Sequence, residues 1–292
     1  MRLQKTLRHE VGFEGIGLHT GRYAKVRLKP ASRDTGIVFV RTDRQISIKA
    51  SVDAVTDTAF STTIGYNGVK IRTIEHVLAA IAGLGIDNII VEVTGPEIPI
   101  LDGSSIELTS LLMSGGIAKQ SKNKPCLKIT NPLVLTDGHA EMAVFPYNGK
   151  RITYKIHFNH HLLGEQELSV ELNRENFLLE IAPARTFGFL KDVEYLKANG
   201  FAKGGSYDNA IVLGEDSILN SSGLRFKDEF VRHKILDLIG DLALIGLPIY
   251  GHIFANKSGH TTHLKFLKKI LSHPDSWQLE SEVDQQKVVV CN

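Results

Sequence analysis

The chain has 292 residues, 42% apolar and 23% charged, with a net charge of +2. That mixture excludes disordered and collagen-like classes, and so small a charge, with no dense Lys/Arg block, argues against nucleic acid as a partner. The start, MRLQKTLRHEVGFEG, has no apolar signal core and the oiliest stretch is broken by acids and a proline, so a cytoplasmic protein with no transmembrane segment is expected.

Residues 1 to 72 read as strands and turns, with Ala24 to Leu28 and Ile46 to Val52 alternating and Gly36 to Val40 β-branched. Among them GFEGIGLHTG predicts a mobile or tightly turned loop carrying His19; its last glycine is one residue late for a dinucleotide-binding motif. A helix follows, N-capped by Thr73 and stopped at Gly83 or Gly85, with Glu75 and His76 side by side in its first turn. Next come a strand from Asn88 to Val93, the loop GPEIPILDGSS and a short helix from Ile106 to Met113. The polar run KQSKNK, Lys119 to Lys124, reads as a linker and divides the chain into domains 1–120 and 125–292.

The second half repeats the order: strands from Leu127 to about Leu172 with a turn at Asp137-Gly138, then helices. This raises a duplicated fold, although no residue-level repeat proves it. A helix around Arg174 to Ile181 leads into APARTFGF, an amphipathic helix covers Leu190 to Asn199, and Lys203-Gly204-Gly205 forms a loop. A long apolar helix is predicted over Phe230 to Pro248. Beyond it, a strand from Ile249 to Ala255 ends in KSGH, where Ser258 is placed to cap a last helix containing His260. The tail from Pro274 to Asn292 is polar with a short VVV run. Cys126 and Cys291 lack paired metal spacing and are expected as reduced thiols.

The apolar helix poses the chemical question. His233, Asp237 and Asp241 recur every four residues, each step drifting only about 40° around the axis, so they share one face. Every other face is oily, and an unpaired buried charge costs several kcal/mol, so something cationic must meet the acids. Two readings stand: a buried ion pair between His233 and Asp237, or a metal site completed by a third ligand. No HExxH, GxSxG, Walker A or thiol-enzyme pairing is present, and what remains fits a zinc held by two His and one carboxylate with a position open for water.

TIEHVLAAIAGLGIDN, PEIPILDGSS, ARTFGF, GLRFKDEFVRHKILDLIGDL and KSGH, in this order, strongly resemble the zinc-dependent UDP-3-O-acyl-N-acetylglucosamine deacetylases of lipid A biosynthesis, over the chain up to about Leu271. The resemblance implies an α+β protein of two domains with similar topology, each a β-sheet layer with paired helices, the helices meeting centrally and the active site at the domain interface. It implies one Zn2+ on His76, His233 and Asp237, Glu75 as general base, His260 as cationic partner held by Asp241, and Thr186 as the hydroxyl supporting the oxyanion. Lys234 and His19 match positions near the sugar diphosphate. The insert at about 187–213, with Phe187 and Phe189, corresponds to a passage for the acyl chain, and Phe158 to a residue stacking on uracil. The implied activity is removal of acetate from UDP-3-O-(3-hydroxyacyl)-N-acetylglucosamine, the committed step of that pathway, with no obligate protein partner evident. Past KSGH the chain departs from the family pattern: Thr261, Thr262 and His263 stand where a small residue, leucine and asparagine are usual. Lys203 likewise stands where an apolar residue is expected.

Overall fold

A computed structural model of the chain describes residues 2–280; Cys291 and the tail beyond Glu280, with its VVV run, lie outside the described residues. The first half is built on a five-stranded sheet in the order Val11–Ile16, Tyr23–Pro30, Ile89–Val93, Ile37–Arg41, Ile46–Lys49. Alternation selects its inner face: Ala24, Val26 and Leu28 are buried while Tyr23, Lys25 and Arg27 are exposed. The central strand, Ile89–Val93, runs antiparallel to Tyr23–Pro30 and parallel to Ile37–Arg41.

The second half repeats this plan. Ile249–Asn256 is central, antiparallel to Ala140–Phe145 and parallel to Lys150–His157, with Leu133–Asp137 and Glu165–Glu171 outside them. Numbered by appearance within each half, both sheets read first, second, fifth, third, fourth. The duplication raised by element order is therefore present in strand order, where no sequence repeat betrays it. Cys126–Ile129 and Trp277–Glu280 extend the second sheet.

The helices are α1 (Glu75–Gly83), α2 (Ile106–Ser114), α3 (Arg174–Asn176, continued by a wider turn over Phe177–Ile181), α4 (Leu190–Ala198), α5 (Glu229–Leu242) and α6 (His260–Ser272). Each half has its own core, one around Leu28, Phe39, Leu78 and Val91, the other around Ile152, Phe177, Phe230 and Ile253. Helices α1 and α5 lie between the two. A Cβ at Gly240 would sit 2.1 Å from the carbonyl oxygen of Glu75, so α5 presents bare backbone where the start of α1 crosses it. That contact brings Glu75 and His76 from one half against His233 and Asp237 from the other.

Four local expectations are corrected. Lys119 to Lys124 is not a linker: Ile117–Lys124 is a strand antiparallel to Arg2–Leu7. Its polar composition reflects solvent exposure, and Gln120 reaches inward to bond Asn88 and the Ala31 carbonyl. The segment GFEGIGLHTG is loop only in its second half: its first five residues belong to the strand Val11–Ile16, a tight turn carrying His19 follows, and Gly17 is required because a Cβ there would overlap the Glu97 carboxyl at 2.3 Å. The long helix stops at Leu242 instead of Pro248; a single tighter turn, Ala243–Ile245, follows, and Gly246 (φ 77°) breaks it. Neither predicted cap forms: Thr73 (φ 58°) gives its hydroxyl to Glu97, and Ser258 hydrogen-bonds Tyr154.

Candidate active site

Glu75 and His76 are the first two residues of α1, 2% and 5% exposed. Glu75 Oε2 accepts the Thr62 N–H at 3.0 Å, which turns Oε1 toward His260 Nε2, 3.9 Å away. Burial raises the Glu75 carboxyl to about 8, reinforced by Asp237 and Asp241 and opposed by His260. Its proton affinity is thus far above that of an exposed glutamate, as a proton acceptor requires.

His76, His233 and Asp237 bring two imidazole Nε2 atoms and one carboxylate oxygen together. Nε2 of His76 lies 3.7 Å and Nε2 of His233 3.3 Å from Asp237 Oδ1, and no hydrogen bond joins either ring to the acid. A satisfied polar cluster would close those gaps; three donors within 4.8 Å of one another that leave them open could hold a metal ion. Burial drives His76 down to about 3 and lowers His233, so both rings present lone pairs. His233 Nδ1 donates to the Ala184 carbonyl at 3.1 Å, which fixes the tautomer with Nε2 free. Burial opposes ionisation of Asp237, yet Lys234 at 2.7 Å, with the surrounding imidazoles, holds its carboxyl well below the usual range. The donor types and their protonation fit a divalent cation.

One turn along α5, Asp241 is 1% exposed and fully occupied. Oδ1 accepts the Thr62 hydroxyl at 2.5 Å, and Oδ2 accepts Nδ1 of His260 and Nδ1 of His263, both at 2.7 Å. Although these three residues also lie close enough to hold an ion, the inner nitrogens of both rings are spent on one oxygen, so this is a hydrogen-bonded set and not a ligand set. Burial disfavours the imidazolium, but Asp241, aided by Glu75 and Asp237, overrides it and raises His260 to about 9.

A cavity of about 360 Å³ opens beside these groups, lined by Thr186, Phe187, Phe158, His233, Lys234, Asp237 and His260. Lys234 is not a solvated surface charge: it is largely buried against Asp237 and held well above its ordinary value. Phe158 and Phe187 meet edge-to-face at 5.8 Å, and Phe187 meets Phe230 at 5.0 Å. Phe189 lies behind Phe158 at 5.8 Å, against His160, and does not line this cavity. Nor does His19, which is 5% exposed, its ring edge-on to Phe201 at 5.5 Å; burial lowers its pKa. Thr186 is pinned by its backbone, its N–H to Gly103 and its carbonyl to Ile211, each 2.8 Å.

The sequence model of a family described as UDP-3-O-acyl N-acetylglycosamine deacetylase matches residues 4–272. The chain belongs to this family. It is similar to the UDP-3-O-acyl-N-acetylglucosamine deacetylases of Thermodesulfovibrio yellowstonii (54% identity over 93% of this chain and 92% of that one) and Syntrophotalea carbinolica (47%, over 96% and 91%). A third relative, from Syntrophus aciditrophicus, is 46% identical over 98% of this chain and 91% of its own. Among the described residues of this family member, no helix is long and apolar enough to cross a membrane.

Sequence reasoning missed three parts of this candidate site. Thr62 bridges Glu75 and Asp241 but sits in an unremarkable STT run, far from both in sequence. His263 stands out in the sequence only as a departure from the family pattern; its place three residues after His260 on a helix is the available signal. Phe60, half exposed with φ 61°, lines the cavity mouth and meets Phe201 at 4.8 Å across the two halves. Nothing in its local sequence foretells that contact.

Proposed function

We propose that this chain is a zinc-dependent, cytoplasmic deacetylase that removes acetate from a UDP-3-O-acyl-N-acetylglucosamine, the committed step of lipid A biosynthesis. The observation that carries the reading is the convergence of His76, His233 and Asp237 from opposite halves, with Glu75 beside them and a cavity in front. Family membership supports the substrate class, and the absence of bonds within the ligand set supports the metal. The two halves act as domains, 1–120 and 125–292, a division supported by the separate cores and the repeated strand order.

His76, His233 and Asp237 would hold the zinc ion, which supplies Lewis-acid charge and makes water acidic enough to be deprotonated near neutral pH. Glu75 takes the proton of the attacking water; the water oxygen bonds to the acetyl carbonyl carbon. The Thr186 hydroxyl donates to the developing oxyanion, an interaction whose loss typically costs about 3 kcal/mol. His260, kept cationic by Asp241, gives its proton to the sugar nitrogen as the C–N bond breaks, releasing acetate and the free amine. Lys234, beside Asp237, and His19 serve the sugar diphosphate, Phe158 stacks on the base, and Phe187 and Phe189 border the passage for the acyl chain within 187–213.

The test is acetate release from the UDP-sugar with and without its 3-O-acyl chain, before and after chelation. Chelation abolishes release and zinc restores it; the acylated substrate is greatly preferred. Equal rates on both substrates would point instead to a metal amidohydrolase of other acylated amino sugars, and full activity after chelation would defeat the metal assignment.

A further inference from the structure

His263 is buried completely, one turn into α6, and nothing in the reaction just described uses it. Its Nδ1 and that of His260 share a single oxygen of Asp241, each at 2.7 Å, while its Nε2 faces Ser258 Oγ at 3.2 Å and Tyr154 Oη at 3.3 Å. Tyr154 spends its own proton on the Ser258 carbonyl at 2.8 Å, and the Ser258 hydroxyl, which donates to Tyr154 Oη at 2.9 Å, leaves Nε2 beside two oxygens that make no demand on it. The carboxylate of Asp241 can only accept, which puts a proton on Nδ1, and complete burial favours the neutral ring. We propose that His263 is a positioning residue that divides the charge of Asp241 with His260, and by doing so sets how readily His260 releases its proton to the leaving group.

The physical argument concerns one acceptor and two donors. A carboxylate oxygen accepting a second N–H is a weaker acceptor for the first, so the imidazolium of His260 is stabilised less than an unshared Asp241 would allow. Without that restraint His260 would hold its proton too tightly to act as an acid near neutral pH. The second bond also fixes the carboxylate, which Thr62 grips from the other oxygen. His260 meets charges besides Asp241: Glu75 and His76 on α1, His233 and Asp237 on α5, and His19 from the first half, with Lys234 lining the same cavity. None of these is altered by a change at His263, so the comparison isolates the shared oxygen.

The proposal rests on the acid role given above to His260, but its primary readout does not need turnover. Full-length protein labelled with 15N-histidine is titrated by NMR for wild type, His263→Leu, which fills the space without a donor, and His263→Asn, which restores one. The His260 midpoint should rise by about one pH unit in His263→Leu and return most of the way in His263→Asn. The alkaline limb of the deacetylation pH profile should move by the same amount. In wild type, His263 should stay neutral with its proton on Nδ1 throughout pH 6 to 9, a result independent of any variant's folding. An unmoved His260 midpoint in His263→Leu, whatever its loss of thermal stability, overturns the proposal, as does a cationic His263. If wild type releases no acetate, the functional reading fails, and the NMR midpoints still decide this one.

Discussion

Gly240→Ala is the change that tests how the site is assembled. The new Cβ would lie 2.1 Å from the Glu75 carbonyl oxygen, 2.8 Å from its carbon and 2.9 Å from its Cα, all backbone atoms that no rotamer change can move. Helix propensity alone favours alanine over glycine by about 1 kcal/mol in a helix interior. The overlap works the other way: relieving it requires α1 and α5 to separate by about 1 Å, and overpacking of this kind costs about 1–3 kcal/mol. The clash therefore wins on stability. The larger effect is on turnover, because the separated residues are Glu75 and His76 on one helix and His233, Asp237 and Asp241 on the other. A displacement of about 1 Å between reacting groups can lower rate by ~100-fold. Chemical denaturation, metal analysis and acetate release on Gly240→Ala and wild type measure all three. A variant as stable as wild type with unchanged turnover would refute the close helix crossing as the device that builds the site.

Three further outcomes follow from the protonation states. Glu75→Gln, which keeps shape and the contact with Thr62, should lower turnover by ~100- to 10,000-fold while metal per chain, read by mass spectrometry, stays unchanged; loss of metal would instead make Glu75 a ligand. Turnover should fall as pH rises past about 9, where His260 loses its proton, and Asp241→Asn should move that limb downward by removing the carboxylate that raises it. A limb that stays in place would assign it to another group. In metal-free protein, His76 titrates near 3 when folded against 6.5 when unfolded, so below pH 6.5 the unfolded chain binds a proton the folded one refuses. Stability should then decline by about 1.4 kcal/mol per pH unit as pH falls from 6.5, and His76→Gln should flatten the slope in urea titrations.

The central helix was legible because a charge repeated every fourth residue on an oily helix has few physical explanations, and the structure buries that face as the spacing requires. Glu75 and His76 were legible as helix-start residues, and the shared strand order was hinted at by element order. What the sequence hid depends on distant partners. Ile117–Lys124 reads as a linker because a ribbon strand with exposed faces has a linker's composition, and only its pairing with Arg2–Leu7 makes it a strand. Thr73 looks like a cap, but the carboxylate of Glu97, buried under the turn at Gly17, captures its hydroxyl. His19, read as part of a glycine loop, is drawn inward by the same Glu97, which accepts its backbone N–H at 2.8 Å. Thr62 and His263 matter only because Asp241 has more lone pairs than one histidine can fill.

The most direct test of the account is the metal content and coordination of the purified protein beside His76→Ala, His233→Ala and Asp237→Ala. One divalent ion per chain in wild type, bound through two imidazoles and a carboxylate by X-ray absorption, and lost from all three variants, is the predicted result. Full metal content in His76→Ala would mean that the ion, if bound, is held by one half of the molecule alone, and would contradict a site built across the α1–α5 crossing.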